Sequence, residues 1–109
     1  MAIHQILRAV LVSMLFLPLG VLGAFAQYVA AGETVAKTWC AGCHDVGAGG
    51  RNAGSDAGPP AFASIAKMNS TTAMSLTVFL STPHGRMPDY SLSRNDIANV
   101  SAYILSLRK

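Results

Sequence analysis

Apolar residues recur at helical spacing most clearly near the C-terminus of the chain. Ser93 and Asp96 stand three residues apart, like a capping box with Asp in place of the usual Glu, and begin this segment. Arg108 and Lys109 end it, where positive charge suits the helix dipole. The spacing predicts a helix with one buried face. That face consists of Ile97, Val100, Tyr103, Ile104 and Leu107.

Three further helices are predicted upstream, separated by loops rich in glycine and proline. The first covers about residues 28–39 and leads directly into two cysteines. The second is short, over about residues 61–67, and the third covers about residues 71–81 with Ser70 as its N-cap. The glycine-rich stretch 45–54 predicts a surface loop. The third helix is expected to turn five apolar side chains inward, namely Met74, Leu76, Val78, Phe79 and Leu80.

The first 26 residues have the pattern of an export signal. A short positive start with His4 and Arg8 is followed by an apolar run over residues 9–17 and by the small residues of an A-x-A site at 24–26. We expect cleavage after Ala26, which divides the chain into a signal peptide, 1–26, and one domain, 27–109. The protein is therefore expected in the periplasm.

An uncleaved membrane anchor is the alternative interpretation of this segment. Residues 9–26 form an apolar stretch close to the lower length of a membrane span. Pro18, Gly20 and Gly23, together with the small-residue site, favour cleavage. Membrane association is expected only if the segment is retained.

The charge and hydrophobic content of the full chain do not describe the domain that remains once the predicted signal is removed. The full chain is 51% hydrophobic with a net charge of +3 and a pI of about 9.2. Loss of Arg8 leaves seven basic and five acidic side chains, so the positive charge gives no reason to expect nucleic-acid binding. Residues 27–109 form a domain so small that a core of protein side chains alone gives only marginal stability. Domains of this size usually contain an additional cross-link or bound group that stabilises them.

The segment Cys40-Ala41-Gly42-Cys43-His44 contains the residues that indicate a cofactor. Its C-x-x-C-H spacing is typical of covalent haem attachment. The two sulfurs add to the two vinyl groups of one haem, and the histidine that follows is placed to ligate the iron. We therefore expect one haem c, bound through Cys40 and Cys43, with His44 as an axial ligand.

Two other interpretations of the cysteine pair are weaker. A redox-active dithiol of the thioredoxin type needs strands that alternate with helices around the motif. A structural zinc site needs about four Cys or His ligands, but the chain has two cysteines, and His4 lies in the predicted signal. A plain disulfide is awkward across so short a loop and leaves His44 unexplained.

The second axial ligand is sought among Met68, Met74, His84 and Met87. Met87 is preferred because it lies in a non-helical stretch that Pro88 stiffens and in which Gly85 permits close backbone approach. A thioether ligand raises the reduction potential relative to a second imidazole. His84 is interpreted as an exposed loop histidine, with replacement of Met87 at high pH as the alternative.

These residues together resemble the small bacterial class I c-type cytochromes, over nearly all of 27–109. Gly32, Ala36 and Cys40, four residues apart, are similar to that family's N-terminal helix, where the glycine lets the C-terminal helix cross near Val100 and Tyr103. Two further segments are similar to the family's Gly-Pro pair after the haem motif and to its distal Met-Pro segment. They are Gly58-Pro59 and Met87-Pro88-Asp89-Tyr90.

The resemblance implies an all-α cytochrome c fold of three to four helices around one covalently attached haem. It also implies that the carbonyl group of Pro59 accepts a hydrogen bond from the His44 imidazole and orients it. Two departures stand out. Ala36 occupies a position that is often aromatic in the family, and the tryptophan that holds a haem propionate in relatives with a long middle loop is missing there. Arg51 is the candidate replacement.

With both axial positions filled, we expect an electron carrier rather than an enzyme. The expected partners are redox proteins such as a dehydrogenase, an oxidase or another cytochrome, docking near the haem edge with Lys67 and Arg86 setting the orientation. Two alternatives stay open: a dedicated haem c subunit of a dehydrogenase complex, and a haem sensor or enzyme with a labile distal ligand.

Overall fold

The computed structural model describes residue 3 and residues 19–49, 58–82 and 85–109. Within these ranges the secondary structure is helical and no strand occurs, which confirms the predicted all-α fold. None of the helices in these ranges has both the length and the apolar character required to cross a membrane. The helices are α1 (Leu19–Val35), continued by a π-helical turn (Ala36–Cys40), α2 (Phe62–Lys67), α3 (Ala73–Leu80) and α4 (Arg94–Ser106).

Helices α1 and α4 cross in backbone contact at Gly32. A Cβ atom at this position would lie 1.9 Å from the carbonyl oxygen of Asn99 and 2.8 Å from the Cβ of Tyr103. The predicted crossing is therefore present, with Asn99 rather than Val100 supplying the closest atoms. One turn later Ala36 is completely buried. The small side chains at 32 and 36 let the two helices approach so closely.

Helix α4 begins and packs as its pattern predicts. The Ser93 hydroxyl accepts a hydrogen bond from the Asp96 N–H at 3.1 Å, and the Asp96 carboxylate accepts one from the Ser93 N–H at 3.2 Å. This reciprocal capping box satisfies two N–H groups at the start of the helix. All five residues of the predicted stripe are buried, at 9% exposure or less, namely Ile97, Val100, Tyr103, Ile104 and Leu107.

Helix α1 differs from its prediction at both ends. It begins at Leu19 rather than near residue 28, so it runs through the predicted cleavage site. Its last turn is π-helical, and the Ala41 N–H donates to the Ala36 carbonyl oxygen at 3.0 Å. Apolar spacing alone does not reveal a single wide turn of this kind, which is common beside functional sites.

Helix α3 is shorter than predicted, and its cap is Thr72 rather than Ser70. The Thr72 hydroxyl accepts from the Ser75 N–H at 3.0 Å, and the Ser75 hydroxyl accepts from the Thr72 N–H at 2.9 Å. Only Leu76 is buried, with Leu80 packed partly against the core. Three other side chains that were predicted to turn inward are exposed, and α4 is the helix that packs against α3. The exposed side chains are Met74, Val78 and Phe79.

The end of α4 is fastened to the turn between α2 and α3. The Arg108 guanidinium donates to the carbonyl oxygens of Ala66, at 2.7 Å, and Thr71, at 2.6 Å. The Thr71 hydroxyl in turn donates to the Ile65 carbonyl oxygen at 2.6 Å. Arg108 thus joins the end of α4 to α2 and to the turn before α3, a more specific role than the dipole interaction that its position predicts.

Replacing Gly32 with alanine is expected to destabilise the fold. The new Cβ would overlap the Asn99 carbonyl group and force α1 and α4 apart. Overpacking of this kind lowers the free energy of unfolding by about 1–3 kcal/mol, and the better helix propensity of alanine offsets only about 1 kcal/mol of it. Chemical denaturation of the holoprotein measures the change.

Gly42→Ala is the matched control for that substitution. Nothing lies within 4 Å of a Cβ atom at position 42. We expect this variant to unfold at nearly the same denaturant concentration as the unmodified protein. A Gly32→Ala protein as stable as the Gly42→Ala protein would contradict the close crossing.

Candidate functional site

The two cysteines and His44 leave α1 together through a tight turn at its C-terminal end. Cys40 is the last residue of the π-helical turn and is buried, whereas Cys43 is exposed, and both thiols are free. The N–H groups of Cys43 and His44 both donate to the Cys40 carbonyl oxygen, at 3.1 and 2.9 Å. This turn places the three side chains at one end of the helix.

The imidazole of His44 is oriented by a backbone carbonyl group. Its Nδ1 atom lies 2.7 Å from the carbonyl oxygen of Pro60. A carbonyl oxygen only accepts hydrogen bonds, so Nδ1 carries a proton, and in the neutral imidazole Nε2 then has the lone pair that can bind a metal ion. The hydrogen bond fixes both the tautomer and the direction of the ring.

The acceptor is Pro60, so the predicted acceptor, Pro59, was wrong by one residue. Successive carbonyl groups of an extended segment point to different sides, and only one of the two neighbours can face the imidazole. The order of residues in the proline pair does not show which one does.

The segment that follows His44 is held by two further contacts. The Phe62 N–H donates to the Asp45 carbonyl oxygen at 2.9 Å, and the Phe62 ring lies 5.4 Å from the His44 ring, centroid to centroid, at a tilt of 54°. The Tyr103 hydroxyl on α4 donates to the Val46 carbonyl oxygen at 2.6 Å. His44 is therefore supported from α2 and, through Val46, from α4.

Burial raises the pKa of Tyr103, mainly by desolvating its charged form. The phenol therefore stays protonated at neutral pH and remains the donor to Val46. The aromatic residue in α4 was identified from the sequence. Its partner was missed, because 57 residues separate the two and no local pattern links them.

Met87 lies in the loop between α3 and α4 and is partly buried. The other two methionines considered as ligands, Met68 and Met74, are 49% and 77% exposed. Tyr90, three residues after Met87, contacts Trp39 with ring centroids 5.5 Å apart. This contact brings the Met87 loop to the end of α1 that bears the cysteines. Iron ligation by Met87 stays a prediction.

Two candidate residues lie outside the described part of the chain. These are His84, weighed as an alternative ligand, and Arg51, weighed as a partner of a haem propionate. The described portion of the glycine-rich loop, residues 45–49, has no regular secondary structure, as predicted.

The donor groups fit a covalently bound haem better than they fit a redox-active dithiol or a zinc site. Burial raises the pKa of the Cys40 thiol, whereas a redox-active C-x-x-C thiol has a lowered pKa and is often at a helix N-terminus. In the described ranges, no three His, Cys, Asp or Glu side chains are grouped as a zinc site requires. Two free thiols followed by an imidazole with an available Nε2 are the groups that haem c requires.

Comparison with known proteins agrees with this assignment. Residues 27–104 match the family model described as "Cytochrome C oxidase, cbb3-type, subunit III". The chain is also 41% identical over 85 residues to Cytochrome c-552 of Bradyrhizobium diazoefficiens, which covers 78% of this chain and 80% of the relative. No solved structure matches the chain significantly.

Loosening the Pro60 segment is expected to weaken the hydrogen bond to His44. Pro60→Gly frees the φ angle of the residue that carries the acceptor carbonyl group. Backbone freedom of this kind is worth about 0.4–1 kcal/mol, so the His44 Nδ1–H should exchange with solvent about two- to fivefold faster. Proton NMR of the ferrous holoprotein follows this exchange directly.

Pro59→Gly is the matched control, one residue away from the acceptor. We expect a smaller change in the His44 Nδ1–H exchange rate than Pro60→Gly produces. If Pro59→Gly accelerates exchange more than Pro60→Gly does, the assignment of the acceptor to Pro60 is wrong.

Proposed function

Because the chain belongs to this cytochrome c family, we propose that it carries single electrons between redox proteins of the periplasm through one haem c, attached to Cys40 and Cys43. Electron transfer by a haem is the function of the family. The hydrogen bond from His44 Nδ1 to Pro60 is the observation that best supports a specific site, because it leaves Nε2 free to ligate iron.

Four side chains have separate roles in this proposal. Cys40 and Cys43 hold one edge of the haem as thioethers, and His44 ligates the iron through Nε2. Met87 supplies a neutral sulfur on the opposite side, which favours the ferrous state and raises the reduction potential. When bound, the haem supplies an iron centre that gains and loses one electron.

Filling both axial positions is what makes this protein a carrier. With two protein ligands the iron has no open position for a substrate, so the chain performs no bond chemistry of its own. His44 is held by Pro60 on one side and by the Phe62 ring on another, so two contacts orient the proposed ligand.

Export to the periplasm is proposed from the N-terminal pattern together with the extent of the family match. The match begins at residue 27, directly after the predicted cleavage site. Residues 1–26 therefore have the pattern of a signal and lie outside the matched domain. Attachment of haem c on the outer side of the cytoplasmic membrane agrees with this location.

A fixed subunit of a larger redox complex is the second candidate, and one surface favours it. Helix α3 has no charged residue, and it exposes Met74, Val78 and Phe79. Adjacent apolar side chains on a helix surface are typical of a face that contacts another protein. The family description, which refers to an oxidase subunit, points the same way.

One measurement on the exported protein separates the two candidates. For a carrier we expect elution from a sizing column as a single small protein, with an intact mass equal to residues 27–109 plus one haem. Co-elution with other chains at fixed stoichiometry supports the subunit instead. A mass that includes residues 1–26 shows that the signal is retained.

Replacing Met87 with alanine tests the proposed ligand. We expect the ferric Met87→Ala holoprotein to lose the iron–methionine charge-transfer absorption band, because the sulfur that produces it is gone. Its reduction potential should fall, and its ferrous form should bind carbon monoxide. Absorption spectroscopy and a redox titration measure these changes.

Met68→Ala and Met74→Ala are matched controls, since both residues are more exposed than Met87. Each variant should keep the band and the potential of the unmodified protein. Retention of the band in Met87→Ala, or its loss in either control, contradicts the assignment of the distal ligand.

A further inference from the structure

Trp39 and Tyr90 connect the two parts of the chain that the proposed haem site requires. Trp39 directly precedes Cys40 in the π-helical turn, and Tyr90 follows Met87 by three residues. Their ring centroids are 5.5 Å apart with a tilt of 41°, a separation typical of interacting aromatic pairs. Trp39 is 48% exposed and Tyr90 42%, so the pair lies at the surface rather than in the core.

The loop that bears Met87 is fixed at both ends. Leu80, at the end of α3, and Leu92, just before α4, both pack against the hydrophobic core. Between these two anchors, Arg86 and Pro88 on either side of Met87 are exposed. Core packing therefore holds the two ends of the loop, and Met87 and Tyr90 lie between them.

The backbone beside Tyr90 is constrained in an unusual conformation. Ser91 has φ 50°, in the left-handed region that residues other than glycine rarely adopt. Its N–H donates to the Asp89 carboxylate at 2.8 Å, which closes a local turn around Tyr90. Tyr90 lies within this turn, and its ring contacts Trp39.

We propose that the Trp39–Tyr90 contact is a latch that holds the Met87 loop over the haem face opposite His44. The proposal rests on the proposed ligation of iron by Met87. Trp39 and Tyr90 are then positioning residues, which act through the loop and do not themselves touch the iron. The latch links the loop to the same helix end that holds the haem through Cys40, so the two sides of the site keep their relative position.

The latch predicts a measurable change in how often the loop opens. An aromatic pair of this kind stabilises one arrangement by an amount that corresponds to about a two- to tenfold change in an equilibrium. Imidazole added to the ferric protein binds iron only when Met87 has moved away, so its apparent dissociation constant varies inversely with the open fraction. Losing the latch should therefore tighten imidazole binding by the same factor.

Imidazole titration of the ferric holoprotein tests this inference. We expect Tyr90→Leu to lower the apparent dissociation constant about two- to tenfold, and Trp39→Leu to have a similar effect. The double variant should bind no more tightly than the stronger of the two single variants, because each removes the same contact. Tyr90→Phe retains a ring and should behave like the unmodified protein.

Two controls separate a latch from a general loss of stability. Tyr28→Leu removes a tyrosine of similar exposure, 55%, from α1 and should leave imidazole affinity unchanged. If Tyr90→Leu lowers resistance to denaturant but leaves imidazole affinity unchanged, or if the two single effects add, the latch is overturned. Should Trp39→Leu fail to fold, the imidazole affinities of Tyr90→Leu and Tyr90→Phe still test the latch.

The Met87→Ala background separates failure of the latch from failure of the proposed function. With no sulfur to displace, Met87→Ala should bind imidazole more tightly than the unmodified protein, and adding Tyr90→Leu should change nothing further. Equal affinity in the unmodified and Met87→Ala proteins would mean that Met87 is not the ligand, which overturns both proposals. Tighter binding by Met87→Ala without any effect of Tyr90→Leu overturns the latch alone.

Discussion

The backbone contact between α1 and α4 at Gly32 is the constraint on which the rest of this structure depends. It places the end of α1, with Cys40 and Cys43, in a fixed relation to α4. From α4, the Tyr103 hydroxyl reaches the segment just after His44. The guanidinium group of Arg108, just beyond α4, fastens the turn between α2 and α3. A small domain with a limited core is thus organised by one close helix crossing and a few long-range hydrogen bonds.

The site is built outward from that crossing. The turn after α1 presents the cysteines and His44, and the Pro60 carbonyl group orients the imidazole. The loop between α3 and α4 approaches the same helix end through Tyr90. The His44 side of the proposed haem site is therefore held by backbone hydrogen bonds, and the Met87 loop contacts the end of α1 through an aromatic pair.

Local sequence patterns predicted the parts of this protein that depend on neighbours along the chain. The Ser93 cap and the buried face of α4 follow from spacing within one helix, and both are present. Contacts between distant segments were predicted less well. The choice of Pro60 over Pro59 depends on which carbonyl group faces the imidazole, and the exposure of Met74 depends on which neighbouring helices cover α3. Neither can be inferred from spacing alone.

The central claim is that the haem is enclosed between His44 and Met87, and proton–carbon NMR of the ferrous protein with ¹³C-labelled methionine methyl groups tests it most directly. A methyl group held against the face of a haem is shifted far upfield by the ring current. The account predicts one such resonance, assigned to Met87, with those of Met68 and Met74 in the ordinary range. A shifted resonance that belongs to Met68 or Met74, or a spectrum with none, would contradict it.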